Sequence, residues 1–262
     1  MDLGLSGKVA VVLGSSHGLG LASATEFARE GAQVVLASRS EASLQAAAAQ
    51  IRSTTGQAVS HRVCDVTKAA DLQGLIDFTA GRHGGVDVLV TNAGGPPAGT
   101  FGDFADEAWQ RAFELNLLSA VRAIRCALPA MRPRGGGRIV CLASVSSRQP
   151  IDGLILSNVF RAGVAGLAKS LANELAGEGI LVNTICPGRI STGRVAELDA
   201  HIADKRGTTP EAVRKSYESL IPIGRYGTPG EFARALVWLG SWANTFITGQ
   251  MILVDGGLVR TL

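Results

Sequence analysis

The sequence predicts an α/β fold in which a doubly wound parallel sheet lies between two layers of helices. Apolar, β-branched stretches alternate along the chain with helical stretches of about 10 to 20 residues. The first apolar stretch, Lys8 to Leu13, runs into a glycine-rich turn and then into a helix. Strands that alternate with helices favour parallel pairing, so the 262 residues are predicted to form one three-layer domain, residues 1–262.

The turn after the first strand carries the spacing Gly14-x-x-x-Gly18-x-Gly20. Glycines allow the backbone to approach a phosphate closely, and the N-terminus of the next helix offers free N–H groups. The motif therefore predicts a site for a dinucleotide pyrophosphate, although the same glycines also fit a tight turn without a ligand. The residues predicted to make these contacts are Gly14, Ser16, His17, Gly18, Leu19 and Gly20.

The remaining elements follow from apolar periodicity and from the residues that start and stop helices. The later strands are predicted at Gln33–Ala37, Ala58–Cys64, Val86–Val90, Arg138–Leu142, Ile180–Ile185 and Met251–Val254. The later helices are predicted at Glu41–Arg52 with Ser40 as N-cap, and at Ala69–Arg82, Phe113–Met131, Val159–Ala176 and Gly230–Leu239. A polar, helical excursion is predicted at Arg194–Ser219.

Two of these helices have distinctive faces. The helix that ends at Met131 carries one apolar stripe, made of Phe113, Leu117, Val121, Ile124, Leu128 and Met131. The helix that begins near Val159 carries small residues, among them Gly163 and Gly166, which would let another helix approach closely. Both faces fit packing on the sheet as well as packing against a second subunit.

Ligands of such sheets bind beyond the carboxyl ends of the strands, where the strand order reverses. The strand-end segments are therefore expected to meet in one cleft. These segments are Gly14–Gly20, Asp65–Val66, Asn92–Gly95, Ala143–Ser147 and Pro187–Thr192.

Composition excludes several other classes of protein. The net charge is +3 and no run of Lys or Arg occurs, which argues against a nucleic-acid partner. The first residues lack a basic segment followed by an apolar one, and no stretch reads as a membrane span, so a cytoplasmic location is expected. Four scattered cysteines predict buried thiols and no metal site.

The motifs, taken in order, resemble those of the short-chain dehydrogenase/reductase family over nearly the whole chain, and most closely its 3-oxoacyl-[acyl-carrier-protein] reductase branch. The marks are the glycine turn, Asp65-Val66, Asn92-Ala93-Gly94, Asn116, Ser144, Pro187-Gly188-x-x-x-Thr192 and Asp255-Gly256-Gly257. The resemblance implies a Rossmann-type fold and a nicotinamide cofactor.

The resemblance also implies roles for individual residues. Asp65 and Val66 would contact the adenine, and Asn92, Ala93 and Gly94 would flank the cofactor ribose. The nicotinamide amide would be held by the segment that contains Pro187, Gly188, Ile190 and Thr192. Ser144 and Asn116 would be catalytic. As isolated dipeptides, the glycine and proline pairs also fit plain turns.

The chain departs from the family at its main catalytic pair. The family places Tyr-x-x-x-Lys on the helix after the fifth strand, and the matching positions here hold Ser157 and Arg161. An aliphatic hydroxyl is a much poorer acid than a phenol, and a guanidinium does not readily move protons. Ser157 and Arg161 are retained as candidate catalytic residues, and water or the substrate would then supply the proton. Arg161 could bind ribose hydroxyls, but the sequence leaves open whether it lies in the cleft or on the helix surface.

Other side chains could replace the missing acid only from a distance in sequence. The chain has two tyrosines, Tyr217 and Tyr226, and both fall in the region where the resembling family has its mobile substrate lid. The lid itself is predicted around residues 191–222. The histidines outside the glycine turn, namely His61, His83 and His201, have no motif around them and are expected to be surface or structural residues.

The end of the second strand predicts which nicotinamide cofactor binds. An acidic residue there would bind the ribose 2′-hydroxyl of NAD(H), but the position holds Ser38, followed by Arg39. A hydroxyl and a guanidinium suit a 2′-phosphate, so NADP(H) is favoured over NAD(H).

Three functions stay open. The first is an NADP(H)-dependent oxidoreductase that acts on a small carbonyl or alcohol, such as a 3-oxoacyl thioester, with an unusual proton donor. The second is a protein that binds the cofactor without catalysis, as a redox sensor or silent subunit. The third is a lyase or hydratase on the same scaffold. By resemblance, the protein is expected to form a homotetramer or homodimer.

Overall fold

In the computed structural model, which describes residues 1–261, one sheet contains the strands β1 (Val9–Leu13), β2 (Gln33–Ser38), β3 (Ser60–Val63), β4 (Val88–Thr91), β5 (Gly137–Leu142), β6 (Ile180–Pro187) and β7 (Met251–Val254). The strand order over these residues is β3-β2-β1-β4-β5-β6-β7, and every pair is parallel. The predicted fold class is confirmed. The strand predicted over Ala58–Cys64 is shorter than expected, because it pairs with β2 only from Ser60 to Val63.

The helices are α1 (Gly18–Arg29), α2 (Glu41–Thr55), α3 (Ala69–His83), α4 (Asp106–Phe113), α5 (Ser119–Met131), α6 (Ile155–Leu175), α7 (Gly193–Arg206), α8 (Pro210–Leu220) and α9 (Pro229–Leu239). Ser40 caps α2 as predicted, since its side chain accepts a hydrogen bond from Ser43 N. Helices α1, α2 and α9 cover one face of the sheet, and α3, α5 and α6 cover the other.

Strand β1 is buried on both faces. Val11 and Leu13 pack into the core beneath α3, α5 and α6, whereas Ala10 and Val12 pack into the core beneath α1, α2 and α9. Because side chains alternate across a strand, a continuous apolar run is what a strand covered on both sides requires.

The strand order reverses between β1 and β4. Strands β2 and β3 follow on one side of β1, and β4 to β7 follow on the other. The two halves of the sheet therefore diverge at this point, which leaves a crevice at the carboxyl edge where a dinucleotide fits. The predicted strand-end segments all lie on this edge, because the strands are parallel.

The single helix predicted over Phe113–Met131 is wrong in detail. Helix α4 ends at Phe113, a π-helical turn spans Glu114–Leu118, and α5 begins at Ser119. The turn holds Asn116, which is buried and donates a hydrogen bond from Nδ2 to Gly94 O at 2.8 Å. Single π turns inside helices often mark functional sites.

The predicted apolar stripe is divided between two surroundings. Ile124 and Met131 are buried in the core, as expected. Phe113 instead packs against Phe160 of α6, with ring centroids 6.1 Å apart. The close approach expected at Gly163 is made by Leu117 of the same chain, since a Cβ at Gly163 would lie 2.9 Å from Leu117 Cδ2.

Candidate functional site

The turn after β1 forms a cradle for an anion. Gly14 has a φ of +59°, and a Cβ at Gly20 would lie 2.2 Å from Gly14 O, so this turn closes tightly only with glycine at Gly20. His17 is the N-cap residue of α1, and within the described chain its side chain makes no capping hydrogen bond. The first N–H groups of α1 are therefore available to a ligand.

The side chains of this turn lie at its edges. His17 is exposed, and its Nδ1 lies 3.0 Å from Ser16 Oγ. Leu19 packs on the core beneath α1, so it contributes its backbone and not its side chain to the cradle. The predicted loop residues are thus brought together around the start of α1.

The end of β2 presents an unsatisfied hydroxyl. Ser38 Oγ is buried, and among residues 1–261 it has no hydrogen-bond partner. Arg39 follows and is exposed. A buried hydroxyl without a partner is costly unless a ligand or water completes it, so this position fits a phosphate oxygen.

The end of β3 is a tight turn around Asp65. Asp65 Oδ1 accepts hydrogen bonds from Thr67 N at 3.0 Å and from Thr67 Oγ1 at 2.8 Å. Burial opposes the ionisation of Asp65, but the bonds from Thr67 outweigh it and lower the pKa of the carboxyl. Val66 packs half-buried against the core. One carboxylate oxygen is thus used by the turn itself.

The turn after β4 is fixed from three directions. Asn92 Nδ2 donates to Gly14 O at 3.2 Å, which ties this turn to the cradle. Ala93 O accepts from Arg161 Nη2 at 3.1 Å, and Gly94 O accepts from Asn116 Nδ2 at 2.8 Å. The predicted cofactor segment Asn92–Gly94 is therefore held by the predicted catalytic residues Asn116 and Arg161.

Arg161 lies in the interior and not on the helix surface, which the sequence left open. The residue is 6% exposed, and its Nη1 donates to Leu142 O at 2.8 Å. Together with the bond to Ala93 O, this ties the ends of β4 and β5 to each other. Burial lowers the pKa of the guanidinium to about 10. The bonds to Leu142 O and Ala93 O use two of the five N–H groups of Arg161.

A small cavity separates Asn116 from Arg161. Its volume is about 10 Å³, which is the room that one water molecule needs. Asn116 lines it, and its buried Oδ1 lacks a hydrogen-bond partner within the described residues. The carbonyl oxygen of Asn116 and the remaining N–H groups of Arg161 would satisfy a water molecule there.

Ser144 caps the short turn Val145–Ser147 after β5. Its Oγ accepts a hydrogen bond from Ser146 N at 3.1 Å, which leaves its own hydrogen free to be donated. Ser157 lies in the first turn of α6, half-buried, and over residues 1–261 its hydroxyl has no hydrogen-bond partner. Asn158 fastens this end of α6 by two hydrogen bonds to the backbone of Ile151, at 3.2 and 3.0 Å.

Neither tyrosine replaces the missing acid in this structure. The Tyr226 hydroxyl donates to Asp199 Oδ2 at 3.0 Å, and burial raises the pKa of this phenol well above its usual value. Asp199 also accepts from Arg189 Nη1 at 2.7 Å. The guanidinium of Arg189 lies 3.5 Å from the ring centre of Tyr217. The guanidinium of Arg214 lies 4.6 Å from the ring centre of Tyr226, so each tyrosine ring packs against an arginine.

The histidines outside the glycine turn and Cys186 are also not placed to replace the missing acid. His61 lies 2.9 Å from Glu41 Oε1, His83 bonds to Gln33 and Ser60 at the far edge of the sheet, and His201 is exposed. Cys186 lies next to the last residue of β6, beside the Ser144 turn, and burial raises the pKa of its thiol to about 12. All four cysteines are free thiols, three of them buried.

The segment after β6 leads into the predicted lid. Gly188 lies against Asp255, where a Cβ would come within 2.6 Å of Asp255 Cβ. Ile190 is buried, and Thr192 caps α7 by accepting from Val195 N at 3.4 Å. A cavity of about 480 Å³ lies between α7, α8 and this segment.

Sequence patterns gave no signal for Arg194, Arg189 or Asp199. Arg194 Nη2 donates to Pro96 O at 2.8 Å, a contact between residues 98 positions apart. Such a pair has no periodicity or local spacing, and only the Pro187–Thr192 turn pointed to this neighbourhood.

No helix of residues 1–261 is both long and apolar enough to cross a membrane. No group of three or more His, Cys, Asp or Glu side chains in that range is arranged to hold a metal ion.

Comparison with known proteins places the chain among reductases. One family profile, described as enoyl-(acyl carrier protein) reductase, matches residues 14–259. A Streptomyces virginiae protein named as a ketoacyl reductase of the monensin polyketide synthase is 37% identical over 256 residues, which cover 96% of this chain and 97% of that protein.

Solved structures agree over the whole length. L-sorbose reductase from Gluconobacter frateurii, described as complexed with NADPH and L-sorbose, has a TM-score of 0.94 and 37% identity and covers 100% of both chains. A short-chain oxidoreductase from Pseudomonas aeruginosa PAO1, described as NADPH-bound with an atypical catalytic centre, has a TM-score of 0.86 and 33% identity. That match covers 98% of this chain and 99% of the other.

Proposed function

Because the chain belongs to the short-chain dehydrogenase/reductase family, we propose that it is an NADPH-dependent reductase that converts a carbonyl group of a small molecule into an alcohol. One observation carries this proposal. The free N-terminus of α1 and the glycine cradle lie at the point where the strand order reverses, beside the unpaired hydroxyl of Ser38.

The residues present fit NADPH. The turn Gly14–Gly20 would hold the pyrophosphate, and Ser38 with Arg39 would hold the 2′-phosphate, where a carboxylate would repel it. The other proposed contacts are Asp65, Val66, Asn92, Ala93, Gly94, Pro187, Gly188, Ile190 and Thr192. When bound, NADPH supplies the hydride for the carbonyl carbon. The NADPH described in both solved relatives supports this choice over NADH.

Ser144 would orient the substrate. Its Oγ already accepts a hydrogen bond from Ser146 N, so its O–H is the group that remains to donate to the carbonyl oxygen. Asn116 acts behind it, because its side chain holds Gly94 and so fixes the turn that flanks the cofactor. Arg161 has a similar positioning role through Ala93 O and Leu142 O.

The proton donor would be atypical. Ser157 would stand where the family resemblance implies a phenol, and loss of a positioned general acid lowers rates by about 10²–10⁴-fold. The proton would come from water or from the substrate itself, next to the free hydroxyls of Ser144 and Ser157. A solved relative that is itself described as having an atypical catalytic centre supports this inference.

A 3-oxoacyl thioester is the first substrate to test. The Streptomyces virginiae relative is named as a ketoacyl reductase, which favours this class. The Gluconobacter frateurii relative is described with L-sorbose, so the fold alone does not choose between acyl and sugar substrates. We propose that residues around 191–222 form the lid that makes this choice, with α7, α8 and their cavity over the cleft.

A second candidate is a protein that binds NADPH without catalysis. It is favoured by the use of two Arg161 N–H groups on main-chain carbonyls, together with an intact cradle. A silent subunit or a redox sensor would keep the cofactor residues and would not need a positioned acid.

We also propose a homodimer or homotetramer formed through α4 and α6. Phe101, Trp109, Phe160 and Phe113 form a row of rings with centroids 6.0 to 6.1 Å apart. Phe101 is 74% exposed and Val159, on α6, is 45% exposed. Exposed apolar side chains beside such a row suit a subunit contact. A cytoplasmic location stays a prediction.

The deciding experiment follows NADPH consumption with a short 3-oxoacyl thioester. The parent is compared with Ser157→Tyr and with the double variant Ser157→Tyr plus Arg161→Lys, and NADPH affinity is measured for each by fluorescence. Turnover by the parent supports a reductase with an unusual donor. A silent parent and an active variant support the non-catalytic candidate. A parent that fails to bind NADPH contradicts both.

A further inference from the structure

Arg194 lies above the reacting end of the cleft. It is the second residue of α7, and its Nη2 donates to Pro96 O in the turn after β4, at 2.8 Å. Strands β4 and β6 flank β5 in the sheet. A bridge from the segment after β6 to the turn after β4 therefore passes over the carboxyl end of β5, where Ser144 lies.

The guanidinium of Arg194 lies against a glycine of the turn after β4, Gly95. A Cβ at Gly95 would lie 3.1 Å from Arg194 Nε and 3.2 Å from Nη2. The guanidinium thus lies against bare backbone. Its bond to Pro96 O uses one of its five N–H donors and a long bond from Nη1 to Glu197 Oε2 uses a second, so three remain for a ligand.

Arg194 is poorly neutralised, unlike its neighbours. Arg189 has Asp199 Oδ1 at 2.7 Å, both side chains being about nine-tenths buried. Arg194 has Glu197 Oε2 at 3.4 Å, and that carboxylate is 71% exposed, so the pair is weak.

A second cation without a carboxylate lies below. The bonds of Arg161 within the described residues go to two carbonyls. Burial lowers the pKa of Arg161, and the charge of Arg194 lowers it further. Two guanidinium groups of the same cleft therefore repel each other, and an anion between them would relieve that repulsion.

We propose that Arg194 binds an anionic group of the substrate, so that the site takes carbonyl compounds that also carry a carboxylate. This proposal rests on the proposed function and narrows its substrate class. The diphosphate of the cofactor is the other oxyanion available. Its cradle lies at β1, two strands from β5, which is about 10 Å away across the sheet. The position over Ser144 favours the substrate.

The test uses protein loaded with NADP⁺ and inert probes in calorimetry. The carboxylates oxamate and malonate are compared with their neutral amides, oxamide and malonamide. The parent is expected to bind the carboxylates more tightly than the amides. Arg194→Gln is expected to weaken carboxylate binding about 10- to 100-fold and to leave amide binding unchanged, because it removes a charge-assisted hydrogen bond.

Arg206→Gln is the matched control. Arg206 is exposed at the other end of α7, about 18 Å along the helix. Its replacement by Gln removes the same charge as Arg194→Gln does. It is expected to bind the probes as the parent does. Arg194→Lys, which keeps the charge, is expected to fall between the parent and Arg194→Gln, and thermal unfolding of each variant verifies that it is folded.

Two results would overturn the assignment. One is a parent that binds carboxylates no better than amides. The other is an Arg194→Gln protein that loses affinity for NADP⁺ and not for the carboxylates, which would assign the guanidinium to the cofactor diphosphate. A parent that does not bind NADP⁺ at all would instead contradict the proposed function.

Discussion

At the scale of single residues, Arg161 is the side chain whose role changed most. From the sequence, Arg161 could bind the ribose hydroxyls of a cofactor or lie on the helix surface. The structure uses this guanidinium as a clip between Leu142 O and Ala93 O, which end β5 and lead out of β4. An arginine reaches both carbonyls because its donors form a planar fork, and a lysine ammonium presents a single point.

This geometry predicts the effect of two substitutions. Arg161→Met would leave two buried carbonyls without a donor, and Arg161→Lys would satisfy one of them. We expect the Met variant to lose about 2–4 kcal/mol of unfolding free energy and the Lys variant about half of that. NADPH affinity should fall in parallel, since the Asn92–Gly94 turn loosens. Urea unfolding and fluorescence titration measure both.

Arg125→Met is the control, because it removes the same charge from an exposed position of α5. It should unfold as the parent does. Parent-like stability and NADPH affinity in Arg161→Met would contradict the role of the clip.

At the scale of elements, α9 shows how a helix start depends on ionised groups. Thr228 and Glu231 form a capping box, and Arg225 donates to both oxygens of Glu231, at 2.9 and 2.6 Å. The Arg225 guanidinium and the bonds from Thr228 lower the pKa of Glu231 to about 2. This helix packs on α1, whose N-terminus borders the proposed cofactor cradle.

The pKa of Glu231 predicts an acid-sensitive helix start. Because the folded pKa lies below the ordinary value of 4.5, this carboxyl stabilises the fold fully above pH 4.5. That contribution is lost as the pH falls from about 4.5 to about 2. Glu231→Gln should be less stable than the parent at pH 6, and the difference should shrink as the pH approaches 2.

Thermal unfolding of both proteins between pH 6 and pH 2.5 measures that difference. Glu174→Gln, at an exposed position of α6, should show the same dependence of the unfolding temperature on pH as the parent. A Glu231→Gln deficit that is independent of pH would show that the capping geometry, and not the charge, matters.

At the scale of the whole molecule, the two helical layers differ in their outer surfaces. On the side of α4 and α6, the row of rings runs from Phe101, in the turn before α4, to Phe160 of α6, and Val159 is exposed next to Phe160 in the sequence. A surface of this kind is stabilised when a second copy covers it.

Light scattering tests this arrangement. The parent is expected to have a mass of two or four times 27.1 kDa, as a homodimer or homotetramer would. Val159→Asp places a charge on the proposed contact and should shift the mass toward 27.1 kDa. Ser53→Asp, on an exposed position of α2, should keep the mass of the parent. A monomeric parent would contradict the proposed assembly.

The sequence alone determined the α/β class, the parallel sheet, the glycine cradle and the absence of a tyrosine at Ser157. These are local properties, because strand and helix periods, turn glycines and motif spacing are all written over a few neighbouring residues. The same locality explains why the strand Met251–Val254 was bounded correctly.

Only the tertiary structure decided what Asn116, Arg161, Arg194 and Tyr226 contact. Arg161 and Ala93 are 68 positions apart, and Arg194 and Pro96 are 98 apart. A side chain with free donors will satisfy whichever carbonyl or carboxylate the folded sheet brings near it, and no local pattern encodes that neighbour. The contact of Asn116 in the π turn is equally nonlocal, since its amide donates a hydrogen bond to Gly94 O, 22 positions away.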